Sequence, residues 1–186
     1  ALQSPGAGGG PPGMSRPILE YPAPELRGRA EEIENIDGRI KELSEQLIET
    51  LARAGGVGLA APQISERLRL ILIDIGEDFH LLINPEVVEV DDEQEALPEG
   101  CLSLPGIEAE VKRPKRVLIR GYTLEEKEIE LEREDLIARA LLHEIDHLDG
   151  VLFIDHLGAA KRRMLLKEYE RLRREGKRER SAVPGL

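Results

Sequence analysis

His143-Glu144-Ile145-Asp146-His147 constrains this chain more than any other stretch. Two histidines four apart share one face of a helix, a single turn from each other. So placed, two imidazoles can grip one divalent metal ion, with Glu144 beside it as a group that need not bind it. The flanks favour a helix. Leu136, Ile137, Ala140, Leu141 and Leu148 recur at helical spacing, and Gly150 stands just past the end as a stop. The plain alternative is a buried helix carrying two satisfied histidines, and the rest of the chain has to decide between the two.

A metal held by two histidines needs at least a third protein ligand, with an open position left for water. One zinc-protease pattern puts a third His six residues after the second, past a Gly at three; Gly150 fits, but position 153 is Phe153. The third ligand therefore comes from elsewhere. The single cysteine, Cys101, sits in the turn-rich stretch PEGCLSLPG at 98–106, and we take it as that ligand. One Cys also excludes an internal disulfide, and a free thiol serving as a ligand suits reducing cytosol, so the expected location is the cytoplasm.

The Gly/Pro/Ala-rich residues 1–13 cannot build a core and read as a disordered leader or expression remnant, with Met14 as the natural start. Residues 14–186 suit one domain large enough to bury a core. No apolar run approaches membrane-spanning length. The net charge of −11 is unevenly spread: 158–180 holds ten Lys/Arg against four Asp/Glu, a local +6, which leaves −17 for the remainder. An acidic body is a poor surface for DNA, whereas the basic tail can face a polyanion.

In chain order, 18–24 is an extended, proline-broken segment. Asp37 caps a helix over 37–54 with the stripe Ile40, Leu43, Leu47, Ile48 and Leu51, ended by Gly55 and Gly56. The glycine-rich GVGLAAPQ at 56–63 lets backbone come close to a neighbouring strand or a substrate. Short strands follow at 68–74, 79–84 and 86–90, then a hairpin of 117–122 and 128–131 turning across 124–127. The metal helix covers 133–147, 151–154 can add a final strand, and 158–174 reads as a basic amphipathic helix. Helices at both ends with strands between them, without βαβ alternation, predict an α+β fold: a mixed, largely antiparallel sheet around a central metal-binding helix, with an N-terminal and a C-terminal helix.

GVGLAAPQ at 56–63, EGCLS at 99–103 and HEIDH at 143–147, in this order and at these separations, closely resemble the three signature motifs of the peptide deformylases. The match covers the chain from about residue 16 to 175. One departure is Leu142, where the family usually has Gln before the first metal His; we expect it to alter packing behind the metal rather than the chemistry. The resemblance implies removal of the N-formyl group from the initiator methionine of newly made proteins. It also implies Fe²⁺ as the metal, with Zn²⁺, Ni²⁺ or Co²⁺ able to replace it, held by Cys101, His143 and His147.

The same resemblance makes Glu144 the general base and then acid, and makes the Gln63 side-chain amide and the Leu102 backbone N–H the oxyanion donors. Val57, Gly58, Leu97, Leu136 and Ala140 are the candidates for the methionine pocket, though Val57, Leu136 and Ala140 equally suit plain core. Asp146, facing away from the metal, suits either a buried ion pair with Arg113, which would cost about 3–5 kcal/mol when broken from one side, or a surface position. His80 and His156 read as structural or solvent-facing. The partners expected are N-formylmethionyl nascent peptides and, through the basic C-terminal helix, the ribosome. The rival enzyme is a zinc endopeptidase of the HExxH type, for which Cys101 would be dispensable.

Overall fold

A computed structural model describes residues 14–176, so the readings for 1–13 and for the last basic residues, 177–180, lie outside the described residues. Asp37 caps α1 (Gly38–Ala54) by accepting the N–H groups of Arg39 and Ile40, and left-handed Gly55 closes its far end. β1 (Gly58–Ala60), β2 (Leu70–Ile75) and β3 (Asp78–Val90) follow, then β4 (Gln94–Gly100), β5 (Glu108–Pro114), β6 (Arg116–Tyr122) and β7 (Glu128–Glu134). α2 (Asp135–Leu148) and α3 (Ala159–Glu175) complete the described chain. The strands pair antiparallel in two sheets, one in the order β1-β2-β3-β6-β7 and the other the hairpin β4-β5. The fold is the expected α+β arrangement.

β2 shows why a continuous apolar run belongs in the middle. Successive side chains point to opposite faces. Ile71 and Ile73 join Leu141, Leu142, Ile145 and Leu148 of α2 in one cluster, while Leu70 and Leu72 join Leu43, Leu47 and Leu51 of α1 in another. The large sheet thus lies between two helices. Each fully buried Leu or Ile there contributes about 1.5–3 kcal/mol. α2 is walled on its other side by the β4-β5 hairpin, and Cys101 begins that hairpin's loop.

Four local readings change. The strands expected at 79–84 and 86–90 are one strand, β3, with register shifts around Pro85. Asn84 bridges the irregularity, its side chain exchanging two hydrogen bonds with the Ile33 backbone at 2.8 and 2.9 Å. The metal helix begins at Asp135 rather than 133, because Arg133 and Glu134 are still paired with Val117 and Arg116. The strand expected at 151–154 is absent. Phe153–His156 forms a 3-10 helix whose entry is capped by Asp155 accepting the Leu152 N–H at 2.9 Å. β4 and β5 were not anticipated.

α3 buries Tyr169, whose hydroxyl donates to the Tyr21 carbonyl at 2.8 Å while the two rings meet edge to face. Tyr21 in turn donates its N–H to Ser103 O at 2.8 Å. The N-terminal segment is therefore clasped between the last helix and the Cys101 loop.

Gly150 ends α2 at φ 73, with its N–H on His147 O. A Cβ there would fall 2.4 Å from Arg27 O, a backbone atom that cannot swing aside. Gly150→Ala is expected to destabilise the protein by about 2–4 kcal/mol, combining left-handed strain with overpacking. A denaturant midpoint unchanged from wild type would contradict this reading.

Candidate metal centre

α2 is apolar enough to be buried almost all round, and that carries His143, Glu144 and His147 into the interior. The rings of the two histidines lie 5.0 Å apart, centroid to centroid. Cys101 arrives from the β4-β5 loop, its Sγ 3.4 Å from His147 Nε2. One ligand atom from each of Cys101, His143 and His147 lies within 4.8 Å of the others. Phe153, in the place where the protease pattern has its third His, stacks on the His143 ring instead.

The donors fit a divalent cation. His143 gives its Nδ1 to Glu99 Oε1 at 2.8 Å, which leaves Nε2 buried with no hydrogen-bond partner among the described residues. A carboxylate on the far nitrogen is the usual orienting contact of a metal-bound histidine. Burial holds His147 well below the ordinary imidazole range, helped by His143 and Arg113, so it offers a lone pair. Burial likewise pushes the Cys101 thiol well up, against the Ser103 N–H, with Glu144 adding to the rise. Coordination to a divalent ion reverses that logic, since a coordinating thiol gives up its proton.

Glu144 is fully buried, with both carboxylate oxygens lacking a hydrogen-bond partner among the described residues, and its Oε1 lies 3.8 Å from His143 Nε2. Burial first, and the neighbouring charge of Glu99 second, raise it well above the usual carboxylate range. A carboxyl so placed is suited to holding a proton between two steps of a reaction. Gly58 eases the approach. A Cβ there would sit 3.1 Å from the Glu144 side chain, close enough that one of the two would have to give by a few tenths of an ångström.

Gln63 is buried in the 3-10 helix Ala61–Ile64. Its Oε1 accepts the Ala60 N–H at 2.9 Å, which fixes the amide orientation and turns Nε2 toward Ser103 Oγ at 3.1 Å and Cys101 Sγ at 3.8 Å. The NH₂ group therefore faces the cluster. Leu102 follows Cys101 in the turn closed by Leu104 N–H on Cys101 O, and its side chain packs toward α1.

The pocket candidates separate. Val57 and Ala140 belong with the apolar cluster under α2, Ala140 fully buried, whereas Leu136 is 43% exposed at the start of the helix. Leu97 is half-buried on β4 opposite Val111. Leu142 packs into the same cluster between α2 and the sheet.

Arg113 and Asp146 pair at 2.7 Å, the first of the two alternatives, but they belong to a larger cluster. Arg113 also grips Glu99 with two nitrogens, Arg139 adds a third guanidinium contact to Glu99, and His156 joins Asp146 at 2.8 Å. His80 pairs instead with Asp78. Burial alone would raise Glu99; hydrogen bonds from Arg113 and His143 outweigh it and hold the carboxyl far below its ordinary value. Sequence reasoning missed Glu99 and Arg139. Strand parity carried the signal for Glu99, which shares a face with Leu97, and Arg139 stands one turn before His143 inside an apolar run.

The family model for polypeptide deformylase matches residues 15–163. The peptide deformylase of Bartonella bacilliformis is 40% identical over 179 residues, 90% of this chain and 98% of that protein. That of Natranaerobius thermophilus is 50% identical over 133 residues, 71% and 85% of the two chains. Among solved structures, a peptide deformylase from Legionella pneumophila superposes with a TM-score of 0.82 at 37% identity, covering 88% of this chain and 98% of that one. One from Synechococcus elongatus in complex with actinonin gives 0.82 at 30% identity, covering 91% and 94%.

Cys101→Ser removes the thiolate from the set. Titrated with Co²⁺, the variant is expected to bind more weakly by more than the about 10–100-fold that loss of an outer-sphere partner costs. Undiminished Co²⁺ affinity would separate Cys101 from the centre.

Proposed function

The chain belongs to the peptide deformylase family, and from that premise we propose that it removes the N-formyl group from the N-terminal methionine of newly made polypeptides, using a divalent metal held by Cys101, His143 and His147. The observation that carries the reading is the convergence of those three ligand atoms beside the unpartnered carboxylate of Glu144. The resident ion proposed is Fe²⁺. A donor set of one thiolate and two imidazoles also suits Zn²⁺, Ni²⁺ and Co²⁺. When bound, such an ion supplies Lewis acidity, bringing the pKa of a coordinated water from about 15.7 to about 7.

Glu144 takes the proton from the attacking water and delivers it to the amine nitrogen as the formamide C–N bond breaks, leaving formate and a free amino terminus. Burial favours the protonated form that the acid half of the cycle uses, and a cation held by Cys101, His143 and His147 would favour the carboxylate that the base half needs. The Gln63 NH₂ and the Leu102 N–H are the donors to the formyl oxygen as it gains charge. β1 is an edge strand of the large sheet, so its outer backbone groups can pair with an extended peptide, and Gly58 brings that peptide in beside Glu144. The methionine side chain is assigned to the apolar surface of Val57, Gly58, Leu97, Leu136 and Ala140.

α3 is proposed to dock on the ribosome. Lys161, Arg163, Met164 and Lys167 are exposed on it, and Tyr169 is its buried residue. Truncation at Gly158 is an unsuitable test because it would remove Tyr169 from the core. Reversing Lys161, Arg163 and Lys167 to Glu is expected to abolish ribosome cosedimentation and leave formyl-peptide turnover intact, with wild-type binding falling as salt rises. Cosedimentation indifferent to both changes would end the docking idea.

On a formyl-Met-Ala substrate, Gln63→Ala is expected to lose about 10²–10³ in kcat with metal content unchanged. Glu144→Gln is expected to lose about 10²–10⁴. Cleavage of an internal peptide bond in preference to the formamide would overturn the proposal.

A further inference from the structure

Behind His143 lies charged machinery that the hydrolysis itself does not use. Glu99 Oε2 accepts from Arg113 Nε at 2.9 Å and Arg139 Nη1 at 2.6 Å, and Oε1 accepts from Arg113 Nη2 at 2.8 Å beside the His143 contact. Arg139 is 2% exposed. Its guanidinium also donates to Val111 O on β5 and Glu95 O on β4, both at 2.8 Å. One side chain of α2 thus reaches both strands of the hairpin that delivers Cys101, and the carboxylate that orients His143.

We propose that Arg139 is a positioning residue of the metal centre, acting through Glu99. The inference rests on the metal-centre reading above. With Oε2 held by two guanidinium groups, the Glu99 carboxylate is kept in the plane that presents Oε1 to the His143 Nδ1–H beside its contact with Arg113 Nη2. That fixes the proton on Nδ1 and the lone pair of Nε2 toward Cys101 and His147. Arg113 gives Oε2 a single donor, through Nε, and its Nη1 is turned to Asp146, so the second donor on Oε2 and the tie from Glu99 to α2 come from Arg139. Lysine cannot replace Arg139, because a single ammonium lacks the planar fork that reaches Glu99, Val111 O and Glu95 O together. The same contacts brace α2 against the hairpin, so a purely structural role is the alternative to be separated.

A double-mutant cycle separates them. Metal-free wild type, Arg139→Met, Arg139→Lys, Glu99→Gln and the Arg139→Met/Glu99→Gln double variant are titrated with Co²⁺ alone, and Co²⁺ release into a chelator is timed. Denaturant midpoints are recorded for each. Arg139→Met is expected to weaken Co²⁺ binding by about 10–100-fold, with Arg139→Lys between it and wild type. In the Glu99→Gln background the same change is expected to cost less than about 3-fold, since the route through Glu99 is already cut. Unchanged Co²⁺ affinity in Arg139→Met, or a loss of equal size in both backgrounds, would overturn the proposal. Should Arg139→Met not fold, wild-type affinity in Arg139→Lys would overturn it equally. A wild type that binds Co²⁺ but leaves formyl-Met-Ala intact would defeat the functional reading alone, with the cycle still interpretable.

Discussion

Glu99 is a negative charge with almost no water to solvate it, and the structure around the site is arranged to make that tolerable. Removing a carboxylate from water costs several kcal/mol unless excellent partners replace the lost hydration. Here the partners come from β5 and α2, as Arg113, Arg139 and His143. The carboxylate is satisfied only when the hairpin and the helix are docked in register. Electrostatic compensation and ligand orientation are therefore one event. The contact that neutralises Glu99 also turns His143 to face Cys101 and His147.

The large sheet supplies what that cluster cannot, a dry wall on the other side of α2. Ile71, Ile73, Val117 and Ile119 pack under the helix and keep water from the buried face. Burial drives Glu144 toward its protonated form and His147 toward its neutral form. β1 closes the site from the sheet edge, and the absence of a side chain at Gly58 leaves its backbone room beside Glu144. Gln63 ties this edge to the Cys101 turn by accepting from Ala60 and donating to Ser103. The three sequence motifs are thus joined by hydrogen bonds and contact, not merely gathered in one region.

The elements legible in the sequence were those with a strong period and clear punctuation. α1 was readable from Asp37, its apolar stripe and Gly55, and the end of α2 from Gly150. β4 was hidden because Pro98 and Gly100 give it the composition of a turn, although Glu95, Leu97 and Glu99 alternate inward along it. Asn84-Pro85 looked like a break and is a bulge inside one strand, since the Asn84 N–H still pairs with Arg69 O and its side chain is held by the Ile33 backbone from outside the sheet. At the site, the Cys101, His143 and His147 spacing was legible because metal ligation demands particular residue types. Arg139 was not, because a cation in an apolar run is indistinguishable from a solvated one until its acceptors on β4 and β5 are known.

The clasp at Tyr21 gives two distant parts of the chain one anchor. The Tyr169 hydroxyl of α3 bonds the Tyr21 carbonyl, and the Tyr21 N–H bonds the Ser103 carbonyl, two residues past Cys101. Both joints are short, and Arg173 stiffens the first by also donating to the Tyr21 carbonyl. The last helix and the sulfur-bearing turn thus take their positions from the same tyrosine, so the seat of one is defined relative to the other.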